Sequence, residues 1–359
     1  MAEAARLHAQ ARVELGDAPA MLRHLCDHFT EHGTVTRQGD GARLEGPYGT
    51  VEVAIEGGAL RLSAVSPNET YLFVVKSSLA EHLFEFAKGE PFSLNWQGDA
   101  PTQAQIPYFR EGVVRSVQAL TPAMQRVILA CEDTAHFESG GLHVRILIPP
   151  AGREPIWPRV GADSRIIWPM AQDELVRRVY TIRSIDHARK ELAVDVVLHE
   201  DSPGSVWARN AKPGDRVGLL GPGGGDVIPA DWYLLCGDET ALPAIARIAA
   251  SLPTTARATI VIEVADRAEE QDIRSDAAIA ITWLHRDGAP AGSTDLLSKA
   301  VRAIGRPDVG SPFVFAGCEQ RAARDIRKHL RSEWKLAKDR CLVAAYWRHG
   351  HTEVRDHGE

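Results

Sequence analysis

Arg178-Val179-Tyr180-Thr181-Ile182-Arg183 is the stretch on which the reading of this chain turns. Val179, Thr181 and Ile182 are β-branched and favour a strand, in which successive side chains point to opposite faces. Arg178, Tyr180 and Ile182 then share one face, and Thr181 and Arg183 the other. A fixed cation, a flat ring and a hydroxyl within six residues suit a flavin, which needs a surface for its ring, a donor near its central nitrogen and a positive charge for its pyrophosphate. They equally suit an ordinary strand with a buried tyrosine and two surface arginines. The hexapeptide alone leaves both readings open.

Downstream the chain offers a phosphate-binding vocabulary. A strand-like Leu192-Ala-Val-Asp-Val-Val-Leu198 leads to His199, then to Ser202-Pro-Gly-Ser205 running into Val206-Trp207-Ala208. Gly204 and Ser205 at the start of a short helix present N–H groups and a hydroxyl where the helix dipole also favours an anion. Lys212-Pro-Gly-Asp215 reads as a tight turn, followed by the strand Arg216–Leu220 and the run Gly221-Pro-Gly-Gly-Gly225. Trp232-Tyr-Leu-Leu-Cys236 is a buried strand that ends in Gly237-Asp-Glu-Thr240, with a helix starting near Pro243. Strand, polar glycine turn and helix with proline in its first turn is the opening βα unit of a nucleotide-binding sheet. The turn has no GxGxxG pattern, so the common dinucleotide fingerprint is absent.

Taken in order, these motifs resemble the siderophore-interacting proteins, flavin-dependent ferric-siderophore reductases of the ferredoxin-NADP reductase superfamily. The resemblance rests on the hexapeptide 178–183, His199 with the following Pro-Gly-Ser and Trp207-Ala208, Lys212–Asp215, Gly221-Pro222-Gly223 and Gly237–Pro243. It continues through Trp283-Leu-His-Arg286, Gly317-Cys-Glu319 and Tyr346-Trp-Arg348. Two departures stand out. Ala345 occupies the place of a usual glycine, and Ser202-Pro-Gly-Ser205 rearranges the usual Gly-Pro-Ala-Ser.

The resemblance implies a role for each matching residue. Arg178 is expected to meet the FAD pyrophosphate, Tyr180 to lie against the isoalloxazine and Thr181 to hydrogen-bond near its reactive nitrogen, with Arg183 beside them. His199 is read either as following the flavin strand into the site or as a packing residue. Gly204 and Ser205 are the phosphate candidates, and Trp207 is assigned to the core. Asp238, Glu239 and Thr240 line the turn facing the cofactor cleft, with Asp238 or Thr240 also a candidate cap for the next helix. Tyr346 and Trp347 end the last strand near flavin or nicotinamide, or else form a packing strip. Arg348 and Arg145 are the candidates for docking an anionic substrate.

Composition excludes other classes. A net charge of −7 argues against general nucleic-acid binding. No apolar stretch approaches the ~20 residues of a spanning helix, and the first residues lack the apolar core of a signal peptide; a cytoplasmic monomer is expected. The five cysteines Cys26, Cys131, Cys236, Cys318 and Cys341 are scattered without a CxxC pair, which disfavours disulfides, zinc ribbons and iron–sulfur clusters.

Three segments follow. Residues 1–100 read as a small α+β domain: a strand at 8–14, a helix at 17–32, short strands near 34–37, 42–46, 50–55 and 59–65, a helix at 68–88 and a strand at 91–96. It resembles uncharacterised domains fused ahead of siderophore-interacting proteins. His24 and His28 stand one helical turn apart with Cys26 between them, but Cys26 faces away, so packing histidines are preferred to a metal site. Ala100–Pro107 reads as a linker. Residues 101–229 form the FAD-binding part, with closely spaced strands that suggest a barrel, six-stranded and antiparallel by the resemblance, and a proline-rich excursion at 149–175. Residues 230–359 alternate strands with helices as an open parallel sheet for NAD(P)H.

The expected chemistry is reduction of a ferric siderophore by NAD(P)H through FAD. Ferric iron takes one electron and a pyridine nucleotide gives a hydride, so a flavin is the natural adaptor; reduction loosens iron because hard oxygen ligands favour Fe(III). A second anion site after Arg178 argues for FAD over FMN. Another acceptor (quinone, free flavin, ferredoxin) or a non-catalytic siderophore carrier remain rival readings. Arg267 and Arg286 are each candidates for a nucleotide 2′-phosphate. The N-terminal domain is expected to be dispensable for the chemistry.

Overall fold

A computed structural model describes residues 6–99, 105–199, 202–307 and 310–351. The chain forms two units: residues up to Phe109 together with Glu154–Glu174, and Arg110–Arg153 together with residues from Leu175 onward.

The first unit begins with β1 (Leu7–Glu14), α1 (Ala18–Phe29), β2 (Thr34–Gln38), β3 (Gly41–Gly46), β4 (Gly49–Glu56) and β5 (Ala59–Ser66), then α2 (Glu69–Phe86) and β6 (Gln97–Gly98). The strands form one sheet in the order β2-β3-β4-β5-β1-β6, antiparallel throughout. Alternation decides its inner face: Ala9, Ala11 and Val13 of β1 and Leu60, Leu62 and Ala64 of β5 are buried and pack with Leu25 of α1 and Leu72, Leu79 and Leu83 of α2. The helices start where the sequence supplies caps. Asp17 accepts from the N–H of Ala20, and Asn68 from that of Tyr71.

The strand expected at 91–96 does not form. Pro91 has no N–H to donate; Leu94 enters the core and Phe92 stacks on Phe84, so the segment is held by side chains rather than by a ladder. Of the expected linker 100–107, residues 100–104 lie outside the described residues, and Ile106 is buried. The proline-rich excursion belongs to this first unit. It carries the hairpin strands β10 (Arg159–Val160) and β11 (Ile166–Ile167). The Arg165 guanidinium lies 3.5 Å from the centre of the Phe84 ring of α2, and Trp157 packs on Phe109.

The second unit contains β7 (Phe109–Thr121), β8 (Met124–Ala130), β9 (His143–Ile148), β12 (Val176–Asp186), β13 (Glu191–Val197), α3 (Pro203–Asn210) and β14 (Arg216–Gly223). These six strands close into a barrel in the order β12-β13-β8-β7-β14-β9. Val127, Leu129, Ile146, Ile182, Val194 and Leu219 fill its interior. Next come β15 (Trp232–Asp238), α4 (Leu242–Ser251), β16 (Arg257–Val264), β17 (Ala278–His285), α5 (Leu296–Ala303), β18 (Pro312–Glu319), α6 (Gln320–Ser332) and β19 (Cys341–Trp347). They build a five-stranded parallel sheet, β17-β16-β15-β18-β19. Helix α4 packs in one core and α5 and α6 in another, covering both faces, and β18, paired on both sides by β15 and β19, is buried at every position. Among the described residues no helix is long and apolar enough to cross a membrane.

Candidate functional site

On β12, Ile182 enters the barrel core and Thr181 is buried, while Arg178 and Tyr180 are partly exposed. Helix α3 docks directly on the face that carries Arg178 and Tyr180. A Cβ on Gly204 would lie 1.8 Å from the Tyr180 hydroxyl oxygen and 3.7 Å from Cγ of Arg178, so only glycine lets the helix come this close. Burial raises the Tyr180 hydroxyl to about 12, against the lowering effect of Arg178. Arg178 donates only to the carbonyl of Arg177 (2.8 Å) and meets no carboxylate among the described residues. Arg183 makes no hydrogen bond there either. Burial lowers its pKa, Asp195 works the other way, and Asp195 itself is gripped by Arg126 at 2.6 and 2.8 Å.

Ser205 and His199 do not stand where the sequence expectation put them. The Ser205 hydroxyl donates to the carbonyl of Val197 (3.1 Å) and accepts from the N–H of His199 (3.0 Å) and the Ser202 hydroxyl (2.9 Å). Its own N–H goes to Ser202, the cap of α3 (3.1 Å). With every donor and acceptor engaged, Ser205 builds the turn and has none left for a phosphate. The His199 side chain is exposed; its backbone holds the turn. Trp207 packs in the barrel core, as assigned.

The second part of the site lies at the C-terminal ends of β15, β16, β18 and β19, where open α/β sheets bind ligands. Asp238 is buried and accepts four hydrogen bonds: from the N–H (3.0 Å) and hydroxyl of Thr240, from the N–H of Glu319 (3.0 Å) and from Nε1 of Trp347 (2.8 Å). Burial, aided by Glu239, still pushes its carboxyl up to about 6, against these donors. Neither Asp238 nor Thr240 caps α4. The cap is Ala241, without a side-chain bond, and the two polar residues close a turn on each other instead. Glu239 holds Arg286 through two bonds of 2.9 and 2.5 Å. Glu263 lies 3.6 Å from the same guanidinium and accepts from Thr294 and from the N–H of Leu297. With its side chain 4% exposed, Arg286 is a structural counter-ion and is not available for a 2′-phosphate. Arg267 is exposed just after β16.

Close glycine packing brings these strand ends together. A Cβ on Gly317 would lie 2.8 Å from the Tyr346 ring, and one on Gly292 would lie 2.8 Å from Trp347. Arg348 is exposed, and Arg145 of β9 pairs across from Val179 of β12. Two residues join the barrel to the sheet edge. Nε2 of His143 lies 2.7 Å from the Tyr346 hydroxyl. Burial first, and then Arg247, lower His143 to about 4, and burial raises Tyr346, so the pair is neutral at physiological pH. The sequence reading treated residues 143–148 only as a strand and passed over Arg247. A single charge in the otherwise apolar Leu242–Ala250 was the available signal. In the first unit Cys26 is buried, His28 packs against His32 and His82, and no group among the described residues is arranged to hold a metal.

Three family descriptions match in succession: an uncharacterized protein conserved in bacteria at residues 10–97, a siderophore-interacting FAD-binding domain at 113–226 and siderophore-interacting protein at 230–350. The ferric vibriobactin reductase ViuB of Vibrio cholerae is 33% identical over 240 residues, 65% of this chain and 87% of that protein. The NADPH-dependent ferric-chelate reductase of Escherichia coli is 27% identical, over 67% of this chain and 92% of that one. The crystal structure of a siderophore utilization protein from T. fusca superposes with a TM-score of 0.62 at 38% identity, covering 72% of this chain and 97% of its own. From its barrel to the end of its parallel sheet, the chain belongs to the siderophore-interacting protein family.

Proposed function

We propose that the chain is an FAD-dependent reductase that passes electrons from NAD(P)H to ferric siderophores and so frees ferrous iron. The observation that carries this reading is the seat of Gly204 on Tyr180. It brings the start of α3 beside Arg178, a guanidinium that meets no carboxylate among the described residues, next to a ring and a buried threonine hydroxyl. These residues fit a flavin diphosphate: a cation that meets no carboxylate among the described residues, the Gly204 N–H at the helix start and a close backbone approach where a Cβ would clash. When bound, the flavin supplies the change from two-electron to one-electron transfer. The protein's part is to hold and orient. Arg178 and the α3 start would take the phosphates, and Tyr180 and Thr181 would face the ring. Asp238 fixes Trp347 and Thr240 at the edge where a pyridine nucleotide would enter, Arg183 would stand beside the flavin, and Arg348 and Arg145 are the candidates for docking an anionic ferric complex.

This reading assigns 101–229 to FAD, 230–359 to NAD(P)H and 1–100 to a separate role. It places the reaction in the cytoplasm, where reduced pyridine nucleotide is supplied, and needs one copy of the chain. The test has two parts. Flavin released by heating should be FAD by mass, and predominant FMN overturns that assignment. Turnover with NADH and with NADPH should be faster on a ferric siderophore than on a quinone or free flavin, and the reverse ranking overturns the acceptor. A chain starting near residue 105 should stay yellow and still reduce a ferric siderophore. Its excursion 154–174, deprived of α2, should become the first site of proteolytic cutting.

A further inference from the structure

Helix α4 is apolar up to Ala250 except at Arg247, its single charged residue. Nη1 of Arg247 donates to the carbonyls of Ile182 (3.0 Å) and Leu142 (3.2 Å), and Nη2 donates to that of Phe137 (3.3 Å). These acceptors come from three separate places: β12, the residue before β9, and the short 3₁₀ turn Ala135–Phe137. No carboxylate meets the guanidinium among the described residues, and burial lowers its pKa. An apolar side chain in such a place would hold two packed surfaces together as firmly as an uncompensated cation does, so stability is a poor account of the arginine. What arginine alone offers is a planar fork able to fix several acceptors in one geometry.

The acceptors are well placed for that. Ile182 follows Tyr180 and Thr181, and the pairing of β12 with β13 slips between Ile182 and Ser184, leaving Arg183 as an extra residue. Strands are locally free to bend at such a slip. Leu142 also accepts from the N–H of Ile182, so guanidinium and strand share one carbonyl. At its other end, α4 begins directly after the Asp238–Thr240 turn at the strand-end edge. We infer that Arg247 is a positioning residue for electron entry. By locking α4 to β12 at the slip, it sets the spacing between the nucleotide-facing edge of the sheet and the flavin-facing strand of the barrel.

The inference rests on the reductase reading, and the experiment separates the two. Holoenzyme, Arg247→Met and Arg247→Lys are mixed anaerobically with NADPH and with NADH, and bleaching of the flavin is followed. Separately, each protein is photoreduced and reoxidised with ferric citrate. Amide exchange across 178–186 is measured in the oxidised holoproteins without nucleotide. Positioning errors of about 1 Å cost up to roughly a hundredfold in rate. Arg247→Met should therefore reduce its flavin at least tenfold more slowly at saturating nucleotide, reoxidise within twofold of wild type and exchange faster around Ile182. Arg247→Lys should recover part of the rate and of the protection. If Arg247→Met loses its flavin, the same comparison is read from Arg247→Lys. Equal losses in both half-reactions, or unchanged flavin reduction with unchanged exchange, overturn the inference. A wild type that neither nucleotide bleaches overturns the reductase reading instead.

Discussion

At the barrel end of the site Arg178 carries a guanidinium that no carboxylate meets among the described residues, whereas at the strand ends of the parallel sheet Asp238, Glu239, Glu263 and Glu319 are all met by protein donors. On the function proposed above, the first region would keep its charge for a ligand that neutralises it. The second is already satisfied, and its charges fix the shape of an edge. A site can thus be recognised by what its charged groups lack in one half and by how completely they are engaged in the other. Proximity of charged residues in sequence separates these cases poorly.

The largest test falls on the satisfied half. Arg286→Leu leaves Glu239 and Glu263 buried without their cation and should cost about 3–5 kcal/mol of stability; adding Glu239→Gln should recover a good part. Denaturant midpoints decide, and a loss under about 1 kcal/mol would show that this edge is not held by its ion pairs. On the unsatisfied half, Arg178→Ala should leave folding intact while weakening FAD retention by about 2–4 kcal/mol, the scale of a lost charge-assisted hydrogen bond. The ratio of visible to ultraviolet absorbance after gel filtration reads this out. Equal losses of stability in both variants would erase the contrast between the halves.

Two smaller effects sharpen it. Gly204→Ala forces a methyl group into the Tyr180 hydroxyl and should cost about 1–3 kcal/mol through overpacking. Combining it with Tyr180→Phe removes the clashing oxygen and should restore flavin content; no recovery would mean that the tight seat is not what positions α3. The last effect concerns pH and is small over any one pH unit. His143, lowered to about 4 from 6.5, contributes stability that is complete above pH 6.5 and is lost as pH falls toward 4, because the unfolded chain takes up its proton first. Asp238, raised to about 6 from 3.8, acts the other way: its native form takes up a proton first, which favours folding as pH falls from 6 toward 3.8. The two offset one another in wild type. His143→Gln should therefore differ from wild type by about 1 kcal/mol per pH unit between pH 4 and 6.5, with wild type losing more on acidification. Parallel pH profiles would contradict a buried, neutral His143.

Most strands were legible because their signal is local. Alternation in 8–14 and 59–65, the apolar runs 232–236 and 312–316, and the glycine turns each act within a few residues. The strand at 91–96 failed because alternation reports burial, and a residue can be buried without a ladder partner. At the site, the close seat of Gly204 is consistent with the glycine in Pro-Gly-Ser. The engagement of Ser205 was hidden, because it depends on the backbone of Val197 and His199 rather than on residue type. Arg286 read as a candidate for a 2′-phosphate because its partner Glu239 is 47 positions away. The bond of His143 to Tyr346 spans 203 positions and has no local signature at all.

The allegiance of residues 154–174 to the first unit has a consequence for how the chain comes into being. Synthesis runs from the N-terminus and domains generally fold as they emerge. Here the first unit cannot close when residue 109 leaves the ribosome, since the hairpin that covers Phe84 and Phe109 follows three strands of the barrel later. β7, β8 and β9 therefore emerge before their neighbour is finished, and β12 emerges directly behind the piece that finishes it. The two units must mature in alternation, and a ribosome pause between residues 110 and 154 would leave Phe84 and Phe109 uncovered and the barrel half built at the same moment.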